Sequence, residues 1–271
     1  MILGHPEFSV QPVHASIADD SLFIHFQQGR ILLSGTELPV WSQVRSLLPA
    51  SLIPFELAHA GKRMIVSCHP HACCDIPESD SLKYQDINLF RSMPVEKASL
   101  ITSSLHLWRW YQNNRFCGRC ASPLQIKPDE RALQCPSCGN LLFPVIAPAV
   151  IVAITCGDRI LLARNVRYQH YALIAGYVEV GETLEHALRR EVKEEVGLDI
   201  FDIRYLGDQP WGVSGSQMFA FHAHADDTAP IRVQESELKD ARWFNRNDVP
   251  LIPHKVSIAY EMMERFRNGT L

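Results

Sequence analysis

A segment bounded by glycines, from Gly176 to Leu198, constrains the fold more than any other part of the chain. Thr183 is a suitable N-cap residue for a helix, and Gly197 suits the position after its C-terminus, where left-handed backbone is common. Apolar residues recur between them at helical spacing, at Leu184, Ala187, Leu188, Val192 and Val196. The segment therefore predicts a loop followed by one short helix whose apolar stripe packs on a core.

A second stripe of the same predicted helix is acidic, because Glu191, Glu194 and Glu195 stand at positions i, i+3 and i+4. Like charges at this spacing repel by about 0.2–0.5 kcal/mol per pair. A solvated acidic face is the ordinary interpretation, but here the cluster occurs together with loop glycines and Glu182. Because hard divalent cations bind oxygen ligands and relieve the repulsion, the stripe predicts a Mg²⁺ or Mn²⁺ site.

The segment also resembles the Nudix box, a sequence signature with fixed spacing, at every position that the box specifies. The matching residues are Gly176, Glu182, Arg190, Glu191, Val192, Glu194, Glu195, Gly197 and Leu198. The resemblance implies metal-dependent hydrolysis of a diphosphate linked to a nucleoside. It implies that the three clustered glutamates and Gly176 form the Mg²⁺ or Mn²⁺ site, and that Arg190 orients a box glutamate. Glu182 is expected to support the loop or a metal rather than to act as the base.

Four of the eight cysteines, Cys117, Cys120, Cys135 and Cys138, form a C-x2-C-x14-C-x2-C pattern. Paired C-x-x-C turns at this separation suit tetrahedral thiolate binding of one structural zinc ion per subunit. Gly118 and Gly139 are expected to give the two turns their backbone freedom. Two disulfides are the alternative, which a reducing compartment disfavours. The pair Cys73–Cys74 is interpreted as incidental thiols in a loop.

A third informative segment lies at residues 208–216, where two glycines, a proline and a tryptophan predict a shaped loop. It resembles the Ser-Gln-Pro-Trp-Pro-Phe-Pro-x-Ser signature of the NADH pyrophosphatase (NudC-type) branch of the Nudix family. Gln209, Pro210, Trp211 and Ser216 match, whereas Asp208, Gly212, Val213 and Ser214 depart from it. That branch is implied to carry a four-cysteine zinc ribbon before the Nudix domain and to be a homodimer whose sites use both subunits.

The resemblance implies further site residues, carried over position by position. Tyr177 and Phe143 occupy positions at which the family places aromatic rings against the nicotinamide, with Phe143 brought there by the dimer. Glu237 aligns with a metal-binding glutamate outside the box, and Glu235 is the competing candidate. The remaining implied substrate contacts are Gln209, Trp211, Ser216 and the backbone of Ala259.

The expected catalytic residues are Glu182, Glu191, Glu194, Glu195 and Glu237, with Glu194 preferred as the base that takes the proton of the attacking water. The implied reaction splits NADH or NAD⁺ into (reduced) nicotinamide mononucleotide and AMP, and extends to removal of NAD caps from RNA. Two alternatives remain open at this point. One is a Nudix hydrolase of another dinucleotide, such as ADP-ribose or a diadenosine polyphosphate. The other is a zinc-ribbon binding protein with an inactive Nudix domain.

The predicted fold class is α+β, with a Nudix α/β/α sandwich around a mixed sheet. We expect a divergent N-terminal α/β domain at 1–93, a linking helix at 94–115, the zinc ribbon at 116–143 and the catalytic domain at 144–271. The formal net charge of −4 provides no global basic field for nucleic acid or anionic membranes. No signal peptide is evident, and the most apolar run, residues 141–155, is too short to span a bilayer. A soluble, cytoplasmic protein is therefore expected.

Overall fold

The computed structural model describes residues 8–12, 17–48, 54–59, 62–67, 76–167, 169–250 and 255–271. The chain forms two compact units. One comprises Pro6–Val145 with Gly212–Ser214, and the other comprises Ile146–Trp211 with Gly215–Leu271. The predicted subdivision of the first unit into three parts stays a prediction, and Cys73–Cys74 lies outside the described residues.

The first unit contains small sheets and one long helix. Its elements are β1 (Phe8–Pro12), β2 (Leu22–Ile24), β3 (Phe26–Gln27), β4 (Arg30–Ser34), α1 (Trp41–Val44), β5 (Pro54–His59), β6 (Lys62–Ser67), β7 (Leu82–Asp86), α2 (Val95–Asn113), β8 (Gln125–Ile126), β9 (Leu133–Gln134) and β10 (Leu141–Leu142), with 3₁₀ turns at Arg45–Leu47 and Ile87–Ser92. The strand orders of its three sheets are β1-β5-β6-β2, β3-β4-β7 and β10-β9-β8.

The second unit carries the glycine-bounded segment. Its elements are β11 (Ala147–Cys156), β12 (Arg159–Asn165), β13 (Ile174–Tyr177), α3 (Leu184–Val196), β14 (Ile200–Trp211), β15 (Ser216–Ala225), β16 (Leu238–Asn245), a 3₁₀ turn (Arg246–Asp248) and α4 (Ile258–Arg267). The main sheet order is β14-β15-β11-β12-β16, and β13 pairs with β11. Because β11 and β15 are parallel while the other pairs are antiparallel, the sheet is mixed, as predicted.

The sheet is covered on both faces, because successive residues of β11 point to opposite sides. Val150, Val152 and Ile154 pack in one core with the apolar stripe of α3. Ile151 and Ala153 pack in the other core with α4. The α/β/α sandwich and the α+β class are therefore confirmed.

The termini of α3 follow the sequence signals. Thr183 accepts a hydrogen bond from the backbone N–H of His186 through its hydroxyl, and Gly197 ends the helix in the left-handed region at φ 73°. Both features are local, which is why the sequence alone predicts this helix to within one residue.

Two local predictions are wrong in detail. The segment expected to begin as a loop at Gly176 begins in β13 instead, where Gly176 pairs with Val150 of β11. The loop expected at 208–216 is a hairpin instead, since β14 continues to Trp211 and pairs with the start of β15.

Within the parts of the chain that the structure describes, no helix combines the length and the apolar composition needed to cross a membrane.

Candidate active site

The four cysteine sulfurs of the C-x-x-C turns converge in the first unit. Cys117 Sγ lies 3.7 Å from Cys138 Sγ, and Cys120 Sγ lies 3.4 Å from Cys135 Sγ. A tetrahedral zinc ion with Zn–S bonds of about 2.3 Å separates its sulfur ligands by about 3.8 Å, whereas a disulfide needs about 2.05 Å. All four cysteines are free, so the disulfide alternative is wrong and the residues fit structural Zn²⁺.

The surroundings of Cys117 and Cys120 favour the thiolate form, whereas the pKa of Cys138 is raised because the lowering effect of the Asn140 N–H is outweighed by burial and by the other three thiols. Hydrogen bonds from Ser122 lower the pKa of Cys120 to about 6, and the backbone N–H of Arg119 lowers the pKa of Cys117. In each turn the residue after the second cysteine is left-handed, namely Ala121 at φ 61° and Gly139 at φ 72°. The expected role of Gly139 is thus observed, whereas in the first turn Ala121 rather than Gly118 adopts the positive φ.

In the second unit, Arg190 is the centre of the acidic stripe. Its Nη1 atom donates to Glu191 at 2.9 Å and to Glu194 at 3.1 Å. Its Nε and Nη2 atoms donate to the two carboxylate oxygens of Glu182 at 2.6 and 2.9 Å. A further bond of 2.9 Å runs from Nη2 to the backbone oxygen of Tyr177. One guanidinium therefore fixes three box carboxylates relative to β13.

Glu182 is held in its charged form. The hydrogen bonds from Arg190, followed by one from the backbone N–H of Glu179, lower the pKa of Glu182 to about 2. A carboxylate with this pKa is a poor proton acceptor near neutral pH. Glu182 accepts from the Glu179 N–H at 2.9 Å, which ties it to the loop before α3.

Glu195 differs from Glu182, because its pKa is raised rather than lowered. It is only 7% exposed, and burial, together with the charges of Glu191, Glu237 and Glu194, raises its pKa to about 8. Burial also raises the pKa of Glu191, against the opposing contribution of Arg190. The stripe thus contains more negative charge than Arg190 balances, and this excess charge contributes to the raised pKa of Glu195.

Glu237 stands directly before β16, and its charge raises the pKa of both Glu191 and Glu195. Glu235 is not among the groups that act on Glu195. The Gln234 N–H donates to Glu195 O at 3.0 Å and the Glu237 N–H donates to Gln234 O at 3.0 Å, so the structure brings Glu237 to the C-terminal part of α3 from a distant part of the chain.

This donor set fits a hard divalent cation, because it offers oxygen atoms only and lacks positive charge at Glu195. The carboxylates are spread around Arg190 rather than drawn together. Among the described residues, the four cysteines are the one group of three or more histidine, cysteine or acidic side chains whose ligand atoms all lie within 4.8 Å of one another.

Gly176 leaves room for the Glu191 side chain. A Cβ atom at position 176 would lie 2.0–2.3 Å from the carboxylate atoms of Glu191, so the glycine leaves the space that this side chain fills. Gly176 pairs with Val150 of β11, which fixes the backbone of the box beside the carboxylates.

Tyr177 and Ser216 lie together at one end of the sheet. The Tyr177 side chain is 52% exposed, and the Ser216 hydroxyl donates to its phenolic oxygen at 3.4 Å. The partly buried Trp211 pairs with Ser216 across the β14–β15 hairpin. Three predicted substrate-binding residues are therefore brought together next to the box.

Gln209 has a different environment. Its side chain is 2% exposed, its amide nitrogen donates to Val256 O at 2.9 Å, and its amide oxygen accepts from Ile258 N–H at 2.6 Å. These bonds flank Ser257, the N-cap residue of α4. Gln209 therefore fixes the first turn of α4, which contains the predicted contact Ala259.

The departure from the family signature at Gly212 has a structural reason within the first unit. A Cβ at Gly212 would lie 1.9 Å from the backbone oxygen of Thr102 on α2, and Arg109 donates to Val213 O at 2.5 Å. A residue with a side chain at position 212 would collide there. Phe143, in the same unit, is half exposed after β10.

The clamp formed by Gln209 and the burial of Glu195 were not predicted from the sequence. Glu195 lies between Val192 and Val196, which are both fully buried, so the apolar stripe of α3 gave a signal for its burial. No comparable signal existed for Gln209, whose two bonding partners are 47 and 49 residues away.

Comparison with known proteins agrees with this geometry. The NUDIX domain family matches residues 145–266, and the NADH pyrophosphatase zinc ribbon domain family matches residues 112–143. These two matches define the class as a Nudix domain preceded by a zinc ribbon.

The curated relatives are more specific. A protein named NAD-capped RNA hydrolase NudC from Haemophilus influenzae is 37% identical over 72% of this chain and 76% of its own length. Proteins of the same name from Pasteurella multocida and Stutzerimonas stutzeri are each 40% identical, over 68% and 71% of this chain and 72% and 71% of their own lengths. A NUDIX hydrolase of known structure from Nitrosomonas europaea is 18% identical, with a TM-score of 0.46 over 57% of this chain and 91% of that one. The chain belongs to the NudC family of Nudix hydrolases.

Proposed function

We propose that the protein hydrolyses the diphosphate of NADH and NAD⁺ to (reduced) nicotinamide mononucleotide and AMP, and that it removes NAD caps from RNA 5′ ends. The observation that carries the proposal is the complete carboxylate cluster around Arg190, placed next to Tyr177 and Ser216. The names of the relatives, NAD-capped RNA hydrolase, support the choice of substrate.

The chemistry is an attack of water on a diphosphate phosphorus, with cleavage of a phosphorus–oxygen bond of the anhydride and loss of the water proton to a base. Divalent cations, held by Glu191, Glu194, Glu195 and Glu237, would supply charge neutralisation of the phosphoryl oxygens and a more acidic water. Arg190 keeps Glu191 and Glu194 oriented through its fork of N–H groups. Glu194 is our candidate for the base, since its side chain is 51% exposed and can reach solvent water.

The nicotinamide half is proposed to lie at Tyr177, whose exposed ring offers a flat apolar surface for an aromatic base. Ser216 and Trp211 shape that end, and Gln209 fixes the turn that carries Ala259. We further propose that the protein is a homodimer, in which Phe143 supplies the second ring. A zinc site of four thiols is compatible with the cytoplasm as compartment.

The test is incubation of the purified protein with NADH, NAD⁺, ADP-ribose, a diadenosine polyphosphate and NAD-capped RNA, each with Mn²⁺, and identification of products by mass spectrometry. Preferred cleavage of NADH and of NAD-capped RNA is expected. Preference for ADP-ribose or the diadenosine compound would favour the other-dinucleotide alternative, and no turnover of any substrate would favour a binding module.

Glu237 and Glu235 provide a matched pair for the metal-binding assignment, since both precede β16. Glu237→Gln is expected to lower turnover by orders of magnitude, because its charge acts on Glu191 and Glu195. Glu235→Gln is expected to leave turnover within about threefold. Near-normal turnover in Glu237→Gln would contradict the assignment of Glu237 as a metal-binding residue.

A further inference from the structure

A cavity of about 470 Å³ borders the carboxylate cluster. It is lined by Asn165, Val166, Arg167, Ser236 and Glu237. Small-molecule sites commonly have volumes of about 300–1,000 Å³. The Gln234 N–H donates to Glu195 O at 3.0 Å, and the Glu237 N–H donates to Gln234 O at 3.0 Å. Because Glu237 also lines the cavity, the cavity lies beside the helix that carries the catalytic carboxylates.

Arg167 gives this cavity an anion-binding group. Its backbone N–H donates to the side chain of Asn165 at 2.9 Å, which fixes the turn after β12. The Val166 N–H donates to Glu237 O at 2.8 Å, which ties this turn to the segment before β16. Within the described residues, no carboxylate lies within ion-pair distance of the Arg167 guanidinium, so this cation is free to bind an anionic ligand.

The sheet order places the cavity relative to Tyr177 and Ser216. Ser216 begins β15 on one side of β11, whereas β13 with Tyr177 and β12, whose end lines the cavity, both lie on the other side. Arg190 joins the carboxylate cluster to Tyr177 O at 2.9 Å. The Gln234 N–H joins the segment before Glu237 to Glu195 O at 3.0 Å. A dinucleotide whose nicotinamide half lies at Tyr177 and whose diphosphate lies at the carboxylates would extend its other half toward Arg167.

We propose that the cavity at Asn165–Arg167 and Ser236–Glu237 binds the second nucleotide of the substrate, an adenosine 5′-phosphate, with Arg167 contacting its phosphate. This inference rests on the proposed function, because that function defines the two halves of the substrate. Arg167 is thus a substrate-binding residue on the AMP side of the cleaved bond. Asn165 and Ser236 offer the polar groups for the sugar.

The test is equilibrium binding of the two products, AMP and nicotinamide mononucleotide, by calorimetry in the presence of Mg²⁺. Arg167→Ala is expected to raise the Kd for AMP about tenfold, the usual effect of losing a charge-assisted hydrogen bond, and to change that for nicotinamide mononucleotide less than twofold. Lys239→Ala is the control, since it removes a positive charge from the exposed face of β16 outside the cavity lining. It is expected to leave both affinities within twofold.

Unchanged AMP affinity in Arg167→Ala overturns the proposal, as does an equal loss for both products. An equal loss in Lys239→Ala also contradicts it, because the effect would then come from overall charge. Melting temperature and zinc content identify a variant that fails to fold, and Arg167→Lys, which keeps the charge, then serves in its place with a smaller expected loss for AMP alone. Product binding requires no turnover, so a failure of the proposed function is recognised separately by wild-type protein that does not cleave NADH.

Discussion

Substitution of Gly176 by alanine should lower activity strongly while leaving the fold intact. The added Cβ would lie 2.0 Å from the carboxylate carbon of Glu191 and 2.1 and 2.3 Å from its oxygens. Nonbonded carbon atoms keep about 3.5–4.0 Å, so the carboxylate must move by at least about 1 Å. A misplacement of about 1 Å in a catalytic constellation costs about 10²-fold in rate. We therefore expect kcat to fall about 100-fold.

The stability of Gly176→Ala should change little. The displaced carboxylate loses its 2.9 Å bond to Arg190, which costs about 1.5–3 kcal/mol when fully formed and less at this partly exposed site. Alanine lowers the conformational entropy of the unfolded chain, which raises the free energy of unfolding by about 0.4–1 kcal/mol. Moving Glu191 toward solvent also relieves the burial that raises its pKa. The net change is within about 2 kcal/mol, or a few degrees in melting temperature.

The assay is kcat for NADH with Mn²⁺, together with melting temperature and zinc content. Gly118→Ala is the matched control, since a Cβ there meets nothing within 4 Å. Because Gly176→Ala acts through Glu191, adding it to Glu191→Gln should cause no further loss. A kcat for Gly176→Ala within threefold of wild type, or full additivity with Glu191→Gln, refutes the reasoning.

Three further outcomes follow from particular contacts. Ala121→Gly should stabilise the zinc-loaded ribbon by about 0.5–1 kcal/mol, seen as slower zinc loss to a chelator, because alanine is costly at φ 61°. Gln209→Leu should lower stability by about 2–4 kcal/mol in chemical denaturation and raise KM more than it lowers kcat, because Val256 O and Ile258 N–H lose their buried partner; an unchanged KM would contradict the clamp. The pKa of His222 is lowered to about 4, by burial and then by the charges of His224 and Arg204. Between pH 6.5 and 4 the His222 imidazole therefore binds a proton in the unfolded chain but stays neutral in the folded protein. Stability should therefore fall by about 2–3 kcal/mol as pH drops from 6.5 to 4, and His222→Gln, compared by denaturant titration at both pH values, should lack this component.

The sequence predicted those parts of the fold whose determinants are local. Thr183 and Gly197 specify the ends of α3 through side-chain capping and left-handed backbone, and both act within four residues. The cysteine spacing specified the zinc site in the same way, because each pair forms one turn. The identity of the turn residue, Ala121 instead of Gly118, was missed because a non-glycine residue at positive φ carries no sequence signal.

The parts that were missed depend on pairing across long distances in the chain. The strand through Gly176 and the extension of β14 to Trp211 are set by partners in β11 and β15. Gly176 and Pro210 locally favour a loop, and tertiary pairing overrides this preference. For the same reason no sequence pattern indicates that residues 165–167 and 236–237 line one cavity.

The site combines both kinds of determinant around one side chain. Arg190 is placed by the local helix, and through it the local motif orders Glu182, Glu191 and Glu194. The same guanidinium binds Tyr177 O on a strand whose position is set by β11. The carboxylates that would hold the cations and the residue proposed to face the nicotinamide are therefore fixed relative to each other by one group. Lysine cannot reproduce this fork of N–H groups. A displacement of Tyr177 should therefore displace the carboxylates that Arg190 binds, and a displacement of the carboxylates should displace Tyr177. Arg190 is in this sense the structural link between the chemistry and the choice of substrate.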